Sequence, residues 1–252
     1  MMDAITLENV SKEFIIGFKK KDRAVFKISN LIKGFVNKKK FVALSNINLV
    51  VKAGDKIGVI GENGSGKSTL LRIIAGIYQP TSGSVTTNGN LMYISGFGLG
   101  LNQKLTFREN IYLIGSLMGL SNRQIKSKLK EIIDFSGLEE FLDAKLEYFS
   151  TGMLARAGFS IRLFFIDLIK PEIILLDEAT SGGGDAEFCG RANKKIAELI
   201  QSSSTIVLTS HSSEQVTKFC KKVVWLDSGK IREQGEAVAS ILNKYTDSFR
   251  QG

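Results

Sequence analysis

Apolar and polar residues alternate from Ala4 to Val10, which places Ile5, Leu7 and Val10 on one side and predicts a first strand. From Arg23 to Val36 the period changes. Val25, Phe26, Ile28, Leu31, Ile32, Phe35 and Val36 recur at helical spacing with Lys27 and Lys33 on the other side, predicting an amphipathic basic helix interrupted at Gly34. Strand-like alternation resumes over Phe41–Val51. Ala53-Gly54-Asp55 then turns the chain into the short apolar run Ile57–Ile60, and a helical period follows from Leu70 to Ile77. Asn88-Gly89, between Ser84–Thr87 and Leu91–Ile94, predicts a β-hairpin.

Helical character dominates the next stretch. Thr106-Phe-Arg-Glu109 and Ser121-Asn-Arg-Gln124 each fit a reciprocal capping box, and Gly137 closes the second segment. A further helix is expected from Ser150 through Arg156, Phe159, Leu163 and Ile166, ending before Pro171. Strands and helices then alternate: Ile173–Asp177, a helix from about Asp185 to Ile200, Thr205–Thr209, a helix after Ser212, and Val223–Asp227 turning at Ser228-Gly229. That order implies an α/β fold with a mainly parallel core sheet covered by helices.

The chemistry gathers where the first apolar run meets the first helix. Gly61-Glu62-Asn63-Gly64-Ser65-Gly66-Lys67-Ser68-Thr69 satisfies G-x-x-x-x-G-K-S between a strand and a helix, a pattern that clamps phosphate. Its glycines let successive N–H groups approach an anion, and the helix aims its positive end at the same place. Lys67 is expected to reach the β- and γ-phosphates of ATP, and Ser68 to offer a hydroxyl to Mg²⁺.

Composition narrows the rest. With 252 residues and 43% hydrophobic content the chain is large enough for a full core. No apolar run is long enough to cross a bilayer, and the start lacks the features of a secretory signal, so a cytosolic location is expected. Cys189 and Cys220 lie far apart and His211 is the lone histidine, so neither a disulfide framework nor a zinc site has support. Of the net +9, nearly all lies between Gly17 and Lys40, where nine basic residues face one acid.

Glu172–Glu178 is a strand that ends in two acids, at the edge where parallel strands form a ligand crevice. Beside a phosphate loop, Asp177 is placed to hold Mg²⁺ through water and Glu178 to act as general base on the attacking water. Two such acids in isolation are ordinary surface residues. His211 follows another apolar strand and emerges on the same edge, in reach of a γ-phosphate oxygen or the water, although a lone histidine there is more often structural. Phe14 and Phe41 are both candidates to stack on adenine, and a core role fits either as well.

Together these stretches resemble the ATPase subunits of ABC transporters from Ile5 to about Tyr245. The deciding segment, Phe149-Ser150-Thr151-Gly152-Met153, looks like the family's Leu-Ser-Gly-Gly-Gln signature with Thr and Met substituted. The resemblance implies a P-loop NTPase fold with an antiparallel β lobe over 1–58 carrying the basic insert 17–40. It further implies a nucleotide-binding core over 59–95 and 171–235, an inserted helical lobe over 96–170 and a C-terminal tail over 236–252. In that family Ser150 and Gly152 of one subunit close over ATP held by another, so a head-to-tail dimer with itself is implied. Asp185 resembles the aspartate loop linking two such sites, one residue further from Glu178 than the family's spacing. Gly96 or Phe97 falls where the family carries an Mg²⁺-sensing glutamine, with Gln103 displaced nearby.

The substituted signature, Gly96–Gly100, Leu105–Tyr112 and Gly184–Phe188 look like the branch that exports O-antigen, capsule and teichoic acid chains on lipid carriers. That resemblance implies an integral membrane permease as partner, a peripheral place on the cytoplasmic face of the inner membrane, and an anionic lipid surface for the basic insert. Only Glu236–Gly252 follows the core, so a separate carbohydrate-binding domain is not expected. Nucleic acid is not expected as a partner; the alternative class is another exporter's ATPase or a soluble ABC ATPase acting on nucleic acid or ribosomes. A GTPase switch lacks its Asn-Lys-x-Asp stretch.

Overall fold

The computed structural model describes residues 2–17, 38–95, 100–177, 185–201, 204–210 and 213–248. The basic helix expected at Arg23–Val36, and Gly96, Phe97, Glu178 and His211, lie outside the described residues.

Two sheets organise the chain. β1 (Asp3–Gly17) lies between β2 (Lys38–Lys52) and β4 (Ser82–Thr87), antiparallel to both. The second sheet runs in the order β5 (Leu91–Ser95), β6 (Ile173–Asp177), β7 (Thr205–Thr209), β3 (Lys56–Ile60), β8 (Lys222–Asp227), β9 (Lys230–Gly235). Its pairs are parallel except β8 with β9. Strands buried on both faces read as continuous apolar runs, and β6 and β7 are buried at every position. In β6, Ile174 and Leu176 join one apolar cluster while Ile173 and Leu175 join the other, so the sheet is the wall between two cores.

One core lies under α1 (Lys67–Ile74) and the three-stranded sheet. The other lies under α2 (Phe107–Leu117), α3 (Asn122–Ser136), α4 (Thr151–Ile169) and α5 (Ala186–Ile200). Both capping boxes form: the Thr106 and Ser121 hydroxyls accept the Glu109 and Gln124 N–H groups, and those side chains reach back. α6 (Ser213–Phe219) precedes β8. α7 (Val238–Ser248) occupies much of the stretch expected as a tail, because Ile241 and Leu242 are buried and Tyr245 meets Trp225 edge-on.

The Asn88-Gly89 hairpin does not form. Thr87 and Val85 pair with Ile5 and Leu7 of β1, while Leu91 pairs in parallel with Ile173. The turn carries the chain from one sheet to the other, held by Asn88, whose N–H and amide donate to the Ala4 and Asp3 carbonyls, and by Asn90, whose N–H donates to Glu172. Composition decides it: Ser82–Thr87 is polar and mostly exposed, whereas Leu-Met-Tyr-Ile is an apolar run suited to a buried parallel strand.

Candidate functional site

The C-terminal ends of β3, β6 and β7 open on one edge of the six-stranded sheet, so the phosphate loop, Asp177 and Thr209 converge there. Gly66 caps α1 with φ 106°, and a Cβ on it would lie 2.7 Å from the Ala43 carbonyl oxygen. Only glycine fits. Lys67, 4% exposed, folds back inside the loop and donates to the Gly61 and Glu62 carbonyls at 2.8 and 2.9 Å. Glu62, Asn63 and Gly64 form the exposed crest, Ser65 is buried beneath it, and Thr69 is half-buried in the first turn of α1. A buried cation thus sits at a helix N-terminus, an arrangement that attracts polyanions.

Asp177 ends β6 beside it, buried and held by three hydroxyls. Ser68 and Thr209 each donate to Oδ1 at 3.0 Å, and Tyr93 donates to Oδ2 at 2.9 Å. Asp177 and Ser68 together present hard oxygen donors of the kind a Mg²⁺ ion takes, and the residues present fit that ion. Among the described residues no cluster of three His, Cys, Asp or Glu exists elsewhere to hold a metal.

Ser150 caps α4, its Oγ accepting the Met153 N–H at 3.3 Å, and around Gly152 an added Cβ would meet nothing closer than Ser150 Oγ at 4.0 Å. The signature is therefore an open helix N-terminus. Asp185 caps α5: its carboxylate accepts the Phe188 N–H at 2.8 Å and meets Arg156 of α4 at 3.4 Å. That N–H first, and the Arg156 and Arg191 charges with it, hold its carboxyl below the ordinary value. Phe14 and Phe41 face each other across β1 and β2. Phe14 packs edge-on against Tyr78 at 5.4 Å, with the Lys12 ammonium over its ring, while Phe41 is 50% exposed. Gln103 is exposed, its carbonyl accepting the Glu147 N–H.

Sequence reasoning missed Thr209 and Tyr93. Each sits on an apolar strand where a lone hydroxyl reads as incidental, and only the register shows that both reach one carboxylate. It also missed the brace on the phosphate loop: the Gly229 N–H donates to the Ser65 carbonyl at 3.0 Å, and its own carbonyl accepts the Ser45 N–H at 2.8 Å.

The sequence model of the ABC transporter family matches residues 44–181, which hold the phosphate loop, Ser150, Gly152 and Asp177. The chain belongs to the ABC transporter family. Membership makes it an ATP-binding subunit that hydrolyses ATP to drive transport. Among its relatives, the O-antigen export system ATP-binding protein RfbB of Klebsiella pneumoniae is 37% identical over 94% of this chain and 95% of its own length. The teichoic acids export ATP-binding protein TagH of Staphylococcus epidermidis is 39% identical over 97% of this chain and 89% of its own. Solved structures agree on the fold of this ABC ATPase. An ATP-binding cassette solved as a dimer in a post-hydrolysis state with ADP and Pi superposes with TM-score 0.70 at 22% identity, covering 92% of this chain and 98% of that one. The ATP-binding subunit of an ABC transporter superposes with TM-score 0.71 at 21% identity, covering 96% and 93%. No described helix of this ABC ATPase is long and apolar enough to cross a membrane.

Proposed function

We propose that this ABC ATPase powers export of a lipid-linked polysaccharide through a separate membrane-spanning subunit, working from the cytoplasmic face of the cytoplasmic membrane. The observation that carries the reading is the near full-length match to proteins named for O-antigen and for teichoic acid export. The class of cargo we assign is a cell-surface polysaccharide or related polymer carried on a lipid.

In the proposed cycle, the loop 61–69 and Lys67 hold the ATP phosphates, and Ser68 with Asp177 holds Mg²⁺, which would neutralise charge on the transferring phosphoryl group. Glu178 takes the proton of the attacking water and His211 hydrogen-bonds the γ-phosphate. Ser150 and Gly152, at the open end of α4, close over ATP bound to a second copy, with Asp185 linking the two sites. Phe41, the more open of the two aromatics, stacks on adenine. We assign 1–58 as the β lobe, 59–95 and 171–235 as the nucleotide core, and 96–170 as the helical lobe that carries Ser150 and Gly152. The basic insert 17–40 meets anionic lipid headgroups.

Two measurements test this. Glu178→Gln keeps ATP binding and loses turnover; near wild-type hydrolysis would remove Glu178 as base. Purification from detergent-solubilised membranes yields a multi-span membrane protein with the ATPase; recovery with RNA or DNA instead would overturn the export reading.

A further inference from the structure

We propose that Tyr93 is a positioning residue that fixes the carboxylate of Asp177 for its metal-binding work. The proposal rests on the reading of Asp177 as the Mg²⁺ carboxylate.

A buried carboxylate can rotate about its last torsion, and what stops it is the distribution of donors over its two oxygens. Here that distribution is unequal. Ser68 and Thr209 both serve Oδ1, and among the described residues Tyr93 is the donor to Oδ2. Tyr93 is half-buried on β5, packed against the core beneath α1, on the face of the sheet that α1 covers.

The Tyr93 proton goes to Asp177 Oδ2. Arg72 Nε lies 3.4 Å from the Tyr93 hydroxyl, and guanidinium nitrogens only donate, so the hydroxyl accepts there and Arg72 does not compete for that proton. The bond to Tyr93 holds the Arg72 pKa above its ordinary value, against burial, which lowers it. Arg72 in turn reaches the Tyr78 hydroxyl at 3.5 Å, and Tyr78 packs on Phe14. Ser68 and Arg72 stand one turn apart on α1, so one helix face sets both ends of the carboxylate: Oδ1 through Ser68 directly and Oδ2 through Arg72 and Tyr93. Phosphate contacts are assigned to the loop and Lys67, whereas the Tyr93 hydroxyl is engaged with Asp177 and Arg72. Through that bond to Asp177, Tyr93 is expected to act on metal binding more than on nucleotide binding as such.

The test compares wild type, Tyr93→Phe and Asp177→Asn, each loaded with a non-hydrolysable ATP analogue. Mn²⁺, standing in for Mg²⁺, is titrated by electron paramagnetic resonance, and analogue affinity is measured separately in EDTA. Tyr93→Phe is expected to weaken Mn²⁺ binding about tenfold, the loss of one hydrogen bond to a charged group, with EDTA affinity within about twofold of wild type. Adding Tyr93→Phe to Asp177→Asn is expected to cost nothing further. If Asp177→Asn weakens Mn²⁺ binding and Tyr93→Phe does not, the positioning role is wrong while the metal site stands. If neither does, the metal reading of Asp177 fails and the inference with it. An equal loss in EDTA makes Tyr93 a structural residue only and overturns the proposal. Should Tyr93→Phe fold poorly, Arg72→Gln frees the hydroxyl to turn away. It is expected to weaken Mn²⁺ binding about threefold, and no change would count against the inference.

Discussion

Cys220 shows how firmly this core excludes charge. It lies 7% exposed against Gly58 and Val216, and burial alone pushes its thiol up to about 12 from 9.0. In the unfolded chain the thiol ionises near 9.0, while in the folded chain it keeps its proton to about 12. The unfolded state therefore gives up a proton first as pH rises. Stability is fully present below pH 9 and falls between about 9 and 12, by roughly 1.4 kcal/mol per pH unit once the unfolded thiol is ionised. Urea titrations of wild type and Cys220→Ala at pH 8 and pH 10 check this: the wild type is expected to lose more stability than the variant over that interval, and parallel losses would show that Cys220 contributes none of it. Single residues were also where the sequence spoke most and least clearly. Lys67 and Ser68 announce themselves because a fixed spacing prescribes them, whereas Tyr93 and Thr209 matter only through the register of β5, β6 and β7.

Among the elements, the turn between β8 and β9 bears on function although it carries none of the nucleotide chemistry. Gly229, at φ 76°, lies against the Ala43 carbonyl; an added Cβ would approach that oxygen to 2.7 Å, the same oxygen that crowds Gly66. β2, the phosphate loop and this turn thus meet at one point, joined by the Gly229 to Ser65 and Ser45 to Gly229 hydrogen bonds. Gly229→Ala is expected to cost about 1–3 kcal/mol of stability and to weaken ATP-analogue binding even in EDTA, because the loop loses its brace. Calorimetry with a fluorescent-nucleotide titration checks it, and unaltered affinity would show that the loop holds its shape without the turn. Helix ends were the most legible elements, since Thr106, Ser121 and Gly137 act through neighbours three or four residues away. Sheet membership was not. Asn88-Gly89 is correct turn chemistry, yet burial of Leu91–Ile94 against β6 outweighs pairing with the polar strand before it. β9 has one large apolar residue, Ile231, and gains its place by pairing with β8; α7 carries Val238, Ile241, Leu242 and Tyr245 at helical spacing, a short period that only its packing on the core and on Trp225 makes evident.

At the scale of the molecule, the six-stranded sheet divides two apolar cores and brings the phosphate loop and Asp177 to one edge. The signature helix starts away from that loop in sequence, and its Arg156 is tied to Asp185 at the head of α5. One chain holds the parts of a nucleotide site, and in the proposed cycle two such chains drive a permease that moves a lipid-linked polysaccharide. The most direct test reconstitutes the ATPase with its membrane subunit in proteoliposomes carrying lipid-linked polysaccharide from the same cells. Exposure of the polymer on the opposite side is read by its accessibility to a glycosidase. The account predicts exposure that requires ATP and is abolished by Lys67→Ala and by Glu178→Gln. Exposure that persists in both variants, or no ATP-dependent exposure from an actively hydrolysing wild-type complex, would contradict it.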